Sequence, residues 1–251
     1  MIYDLRKAGK LKRIPAFILD AILISILAVF GAWILSGILH YDSYQATMNA
    51  AYEKYAAQFG VTADLAYTDP ASLSAEQISI LDAASAAIAA DPEAVFAYNM
   101  VINLQMVILV FGLLFAFLVL EFIIPLLFGN GQTVGKKIFG VGVMHSNGVR
   151  IGHVALFIRA ILGKYAVMTM IPAACIVSIL NGTANPFLML AAIVVLLLQL
   201  GFLFTRDRML LQDRMSMTVV IDTATQMIFN SPEEMLEYKK KAHAERVALQ
   251  S

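Results

Sequence analysis

Two acidic side chains stand inside long apolar runs of the sequence, Asp20 in residues 14–39 and Glu121 in residues 101–128. The helical rise of 1.5 Å per residue puts Asp20 about 9 Å from the start of its run and Glu121 about 10 Å from the end of its own. Consecutive membrane helices run antiparallel, so the two carboxylates are expected at one depth. An ionisable group inside a membrane is costly unless it is paired or hydrated, and each acid is therefore a candidate ion or proton site.

Two bases, Arg159 and Lys164, lie at the start of a third apolar run at residues 161–180 and could approach the acids. Two interpretations follow. In the first, Asp20 and Glu121 share a cation or a proton, because two neighbouring carboxylates in a low dielectric cannot both stay ionised without compensation. In the second, Lys164 or Arg159 neutralises the acids, and the cluster only fixes the order of the helices. The sequence leaves both open.

Other kinds of chemistry have weaker support. The four histidines are scattered along the chain, and the single cysteine, Cys175, lies in an apolar run. No nucleophile stands near a base in a recognisable pattern. We therefore predict neither an enzyme nor a metal or cofactor site, and no nucleic-acid partner.

The composition indicates which elements position these residues. Sixty per cent of the 251 residues are apolar and 14% are charged, whereas an ordinary globular domain carries about 25% charge. A bilayer core of about 30 Å needs about 20 apolar residues in a helix. This predicts an all-α integral membrane protein with four transmembrane helices, at residues 14–39, 101–128, 161–180 and 186–205.

The basic residues predict the orientation. Of the eighteen lysines and arginines, only Lys54 falls in the loop between the first two spans. Because basic residues stay preferentially on the cytoplasmic side, both termini are expected in the cytoplasm, in a multi-pass protein of the cell inner (plasma) membrane.

The loops predict smaller elements. The outer insertion, residues 40–98, is expected to be partly helical, with a capping box at Ser74 and Gln77 and a helix start at Pro92. The inner loop, residues 130–159, carries Asn147-Gly148 between apolar runs, which indicates a small cytoplasmic β-hairpin. A C-terminal helix is expected within residues 231–251, after a membrane domain of residues 1–230, with Ser231 as its N-cap and Pro232 in its first turn.

Three motifs resemble those of the RDD family of membrane proteins. They are Arg13 to Asp20, the loop Gly131-Gln132-Thr133-Val134-Gly135-Lys136-Lys137, and the segment from Arg206 to Val220 around Asp213. The name-giving arginine and two aspartates correspond to Arg13, Asp20 and Asp213. Gln212 stands where family members often have histidine. The resemblance implies a bacterial multi-pass membrane protein, with proposed activities from cation/proton antiport to general transport.

Two functions are thus compatible with the sequence. One is transport of a small solute or a monovalent cation, with or without exchange for protons, through Asp20, Glu121, Lys164 and Arg159. Four helices are few for alternating access, so this requires a homo-oligomer. The other is a non-transporting adaptor that binds partner proteins. Since Arg13 and Asp213 are both expected at the cytoplasmic interface, we also predict that they pair.

Overall fold

The computed structural model describes residues 6–180, 185–205 and 209–248. It is mostly helical, with 77% of the chain in helices, and it divides into two compact units. One unit comprises Met1–Val29 and Leu113–Ser251, and the other is Phe30–Gly112.

Three helices are long and apolar enough to cross a membrane. They are α1 (Lys10–Ile38), α5 (Pro92–Phe128) and α7 (His153–Ile179). The first three predicted spans match them, to within one residue at their C-terminal ends; α5 begins at Pro92, as predicted, whereas α7 begins at His153, before the predicted span. The start of α5 is set by Asp91, whose carboxylate accepts hydrogen bonds from the backbone N–H of Glu93 at 3.0 Å and of Ala94 at 3.3 Å. The fourth predicted span is also helical, α8 (Pro186–Phe204).

The second unit confirms the helical outer loop. Its helices are α2 (Tyr41–Phe59), α3 (Ala63–Tyr67) and α4 (Ala75–Ala90), followed by the first part of α5. The predicted capping box is present, because Ser74 accepts from the Gln77 N–H at 3.2 Å and Gln77 accepts from the Ser74 N–H at 2.9 Å. Local side-chain chemistry thus determines where α4 begins.

A two-stranded sheet lies in the first unit, and it corrects one prediction. Strand β1 (Val141–His145) pairs antiparallel with β2 (Thr218–Asp222), so that Val143 faces Val220. The predicted hairpin partner, residues 149–151, makes only one isolated bridge to β1, between Met144 and Arg150. The predicted turn forms, since His145 donates its N–H to the Val149 carbonyl oxygen at 2.9 Å, but the main partner of β1 is β2 and not residues 149–151. The start of α7 leaves the segment after Gly148 too short for a strand, whereas β2 offers a longer run of β-branched residues.

The sheet joins distant parts of the chain. Ala8, before α1, donates its N–H to the carbonyl oxygen of Val220 at 3.1 Å, and it packs in a buried cluster with Val143, Val220 and Leu156. The first unit also contains two short helices, α6 (Val134–Ile138) and α9 (Leu211–Met215), and the longer tail helix α10 (Pro232–Ala248). The sheet therefore fixes the positions of α6, α9 and the start of α1, which carry most of the candidate site.

Candidate functional site

Seven charged side chains gather where α1, α5, α6, α7 and α9 meet. Five of them are buried, namely Asp20, Glu121, Lys136, Arg159 and Asp213; Arg13 and Lys164 are half-buried. They form two ion-paired groups and one hydrogen-bonded carboxylate.

Asp20 binds the loop motif, residues 131–137, and pairs with no charged side chain among the described residues. One carboxylate oxygen accepts a hydrogen bond from the Thr133 hydroxyl, and the other accepts from the Gly135 N–H at 2.8 Å. Thr133 in turn caps α6 by accepting from the Lys136 N–H at 3.3 Å. Gly135 must be glycine, because a Cβ there would meet the Ala16 carbonyl oxygen and lie 2.8 Å from Asp20. Asp20 therefore holds α6 against α1.

Glu121 is bound by two lysines. Its Oε2 lies 3.4 Å from the Nζ of Lys136, and its Oε1 pairs with Lys164. Glu121 is only 3% exposed and Lys136 only 8%. We call these three residues the Glu121 centre; it places one negative charge between two positive charges.

The helical winding around this centre is unusual. Glu121 lies in a π-helical segment of α5, Leu118–Ile123, and both Arg159 and Lys164 lie in a π-helical segment of α7, Ile158–Met170. Residues five apart are separated by about 140° around an α-helix of 3.6 residues per turn. The i→i+5 pattern of a π-helix brings them nearly one above the other. The wider winding thus turns both bases of α7 toward the acids.

Asp213 is bound by two arginines. One of its carboxylate oxygens pairs with Arg159, and the other lies 3.7 Å from a guanidinium nitrogen of Arg13. Arg159 also donates to the Thr218 hydroxyl at 2.8 Å, and Asp213 accepts from the Leu210 N–H at 2.9 Å. We call Asp213, Arg13 and Arg159 the Asp213 centre. It ties α1 and α7 to α9 and β2.

Close packing holds the second centre against α7. A Cβ at Gly163 would lie 2.7 Å from the Cβ of Gln212, so glycine is required where α9 crosses α7. Gln212 accepts a hydrogen bond from the Gln199 amide of α8 at 3.4 Å. Gln212 therefore connects α8 and α9.

The environment of Lys136 changes its acidity. Burial lowers the pKa of the Lys136 ammonium to about 8 from the ordinary 10.5, although Glu121 and Asp20 oppose the shift. Lys164 and Arg159 add to the lowering because their positive charges repel a third one. Lys136 can therefore change its charge near neutral pH.

Comparison with known proteins shows the family of the chain. The sequence model of the RDD family matches residues 7–217, which is most of the 251 residues. The chain belongs to the RDD family. Neither the curated proteins nor the solved structures contain a match.

The three name-giving residues of this RDD protein have different partners. Arg13 and Asp213 face each other, as predicted, whereas Asp20 binds the loop motif. The other motif residues have structural contacts: the Gln132 amide donates to the Val141 carbonyl oxygen at 2.9 Å. A Cβ at Gly131 would lie 2.9 Å from the Val143 carbonyl oxygen. The motif therefore builds the junction between α5, α6 and β1.

The four predicted site residues are only partly brought together. Lys164 binds Glu121, as one interpretation required, but Arg159 binds Asp213, and Asp20 and Glu121 are held by different partners. Lys136 was recognised only as a motif residue, and its contact with Glu121 was missed. The sequence did contain a signal for this contact, because Lys136 lies in the loop that directly follows the span carrying Glu121. Within the described residues, no group of three His, Cys, Asp or Glu side chains could hold a metal ion.

Proposed function

We propose that this RDD protein is a transporter that couples movement of a small solute to protons, with the Glu121 centre as its proton site. The observation that carries the proposal is the pairing of one buried carboxylate with two lysines. Intramembrane ionisable groups mark proton and substrate paths in many transporters, and π-helical turns occur frequently at functional sites.

Charge balance supports a proton. The seven clustered residues comprise four bases and three acids, which leaves one positive charge in excess. A low dielectric disfavours that charge, and a lysine can remove it by losing a proton. The low pKa of Lys136 makes this residue the proton carrier.

The same contacts favour a proton over a metal cation. Both oxygens of Asp20 accept hydrogen bonds from the chain itself, and each oxygen of Glu121 already faces a lysine. A metal cation would have to displace these donors and approach two ammonium groups. A proton moves between groups that are already in contact.

The proposal includes the membrane topology that the sequence predicts. In it α8 is the fourth span, and its side chains are mostly apolar and exposed. The termini, the sheet and the loop motif lie in the cytoplasm of a bacterial cell, with the protein in the inner membrane. The working unit is a homo-oligomer, it needs no cofactor, and it catalyses no covalent reaction.

Proteoliposomes that enclose a pH-sensitive dye test the proposal. Gradients of sodium, potassium and lithium chloride, and of sodium acetate and phosphate, are imposed in turn. At least one of these solutes should drive an internal pH change with the wild type, and Glu121→Gln should abolish it. Lys12→Gln, which removes an exposed ion pair with Asp222, is the matched control and should transport normally.

If no solute moves the internal pH, the transporter proposal fails and the adaptor interpretation remains. A Glu121→Gln variant that is folded and as active as the wild type would instead remove the proton site. Folding of each variant is checked by its melting temperature in detergent before reconstitution.

A further inference from the structure

A cavity of about 450 Å³ lies in the first unit, between the end of α5 and the start of α7. Its apolar wall is formed by Pro125, Leu126, Ile151 and Leu156, and its polar rim by Arg150, His153 and Asn230. The cavity shares no residue with the Glu121 or Asp213 centre. The cavity is therefore separate from the two centres and has its own lining chemistry.

Arg150 is the dominant charge at the rim, and the backbone fixes its position. Its N–H donates to the Phe229 carbonyl oxygen at 2.8 Å, and its guanidinium lies over Gly129, where a Cβ would overlap it. Arg150 is exposed, and within the described part of the chain its side chain pairs with no acid. No carboxylate lines the cavity, and the nearby Glu234 carboxylate accepts a hydrogen bond from the Asn230 N–H at 2.7 Å; Arg150 therefore gives the rim its positive charge.

The surroundings indicate where that anion comes from. Leu127 and Val154, which neighbour the cavity residues in sequence, are 77% and 74% exposed, as expected of side chains that face lipid. The apolar helix α5 ends at Phe128 and α7 begins at His153, so this is the level of the phospholipid headgroups. The cavity thus offers a basic rim beside an apolar wall at the membrane surface.

We propose that this cavity binds the phosphate group of an anionic phospholipid, with Arg150 and His153 contacting the phosphate and the apolar wall contacting the first part of an acyl chain. Arg is suited to this role because its planar guanidinium can donate two parallel hydrogen bonds to phosphate oxygens. Free inorganic phosphate shares the same chemistry and is the alternative source of the ligand.

The full chain in a neutral detergent provides the test. Its melting temperature is measured with short-chain phosphatidylglycerol, short-chain phosphatidylcholine and inorganic phosphate, each at saturating concentration. Phosphatidylglycerol should raise the melting temperature of the wild type by about 5 °C, since a ligand bound only by the folded state stabilises it. Arg150→Gln should lose most of that shift, and Lys240→Gln, which removes an exposed charge on the tail helix outside the cavity, should keep it.

Each result decides the question. An equal shift with inorganic phosphate that Arg150→Gln also loses keeps the site and identifies free phosphate as its ligand. An equal shift with phosphatidylcholine removes the requirement for an anion and overturns the proposal. The absence of a shift in the wild type, or its persistence in Arg150→Gln, overturns it as well. If Arg150→Gln does not fold, His153→Ala on the same rim takes its place.

Discussion

The Glu121 centre and the Asp213 centre have the same charge pattern but different chemistry. Each places one buried carboxylate between two bases. In the Glu121 centre the bases are lysines, which lose a proton when burial disfavours their charge; in the Asp213 centre they are arginines, which stay charged in proteins. Identical charge counts therefore hide one centre that can change its charge and one that cannot.

The positions of the two centres agree with this difference. Glu121 and Lys164 lie on the long apolar helices α5 and α7, and Lys136 reaches them from α6. Asp213, in contrast, joins α7 to the start of α1 and lies next to β2. Arg159, which pairs with Asp213, also donates a hydrogen bond to the Thr218 hydroxyl of β2. The first arrangement is suited to proton exchange, and the second to holding the fold together.

The largest expected effect is the loss of Asp213. Asp213→Asn leaves two buried or half-buried guanidinium groups without a counter-charge, so we expect the free energy of unfolding to fall by about 3–5 kcal/mol. Arg13→Gln should cost about 1 kcal/mol or less, because Arg13 is more exposed and lies 3.7 Å from Asp213, while the bond to Arg159 persists. Denaturant unfolding in detergent measures both, and the double variant should lose less than the sum. Strict additivity would show that Arg13 and Asp213 do not interact.

The second effect distinguishes the centres by pH. Glu121→Gln also leaves two bases, Lys136 and Lys164, without their carboxylate. Unlike an arginine, Lys136 can lose its proton. Without Glu121 the pKa of Lys136 falls further below 8, so the cost should be on the order of 3 kcal/mol at low pH, should decrease as the pH rises to 8 and should then level off, whereas the cost of Asp213→Asn should stay constant. Unfolding measured at pH 6, 8 and 10 for both variants provides the comparison. Equal pH dependence in the two variants would erase the proposed distinction.

A pair of glycine variants separates the centres by packing. Gly135→Ala pushes α6, and with it Lys136, away from Asp20; Gly163→Ala pushes Gln212 and α9 away from α7. Overpacking of this kind costs about 1–3 kcal/mol, and Gly163→Ala regains part of it because alanine favours the helix. Both should lower the melting temperature, but only Gly135→Ala should change its pH profile. If only Gly163→Ala changed the pH profile, the proton would belong to the Asp213 centre and the assignment to the Glu121 centre would be wrong.

The smallest effect is expected at the surface. Lys12 and Asp222 form an ion pair of 2.7 Å, and the Lys12 side chain is 44% exposed. Lys12→Gln should therefore cost less than about 1 kcal/mol, and the difference from wild type should shrink in 1 M salt. A loss as large as that from either buried centre would show that burial does not determine the strength of these pairs.

The sequence predicted local structure well. Serine, aspartate and proline at helix starts gave the beginnings of α4, α5 and α10, because a capping side chain acts on the two or three residues beside it. The sequence also predicted that Lys164 could approach Glu121, since this required only the rise per residue and the antiparallel order of the helices.

Non-local pairing and unusual winding could not be predicted. Strand β1 pairs with β2, some eighty residues away, while the nearer Asn-Gly turn offered a local partner. The π-helical winding of α7 redirects Arg159 toward Asp213, and no residue pattern in that segment announces it. The contact between Lys136 and Glu121 depends on how the loop motif folds back on Asp20, which only the assembled structure defines.

The central claim, that Lys136 exchanges a proton, is tested most directly by Lys136→Arg, which keeps the charge but cannot titrate. The folded wild type has a Lys136 pKa of about 8 against the ordinary 10.5, so the unfolded chain binds more protons between these values. The free energy of unfolding of the wild type should therefore rise through this window, by up to about 3 kcal/mol. Measured by denaturant unfolding from pH 7 to 10.5, Lys136→Arg should lack that rise, and parallel profiles for the two proteins would contradict the account.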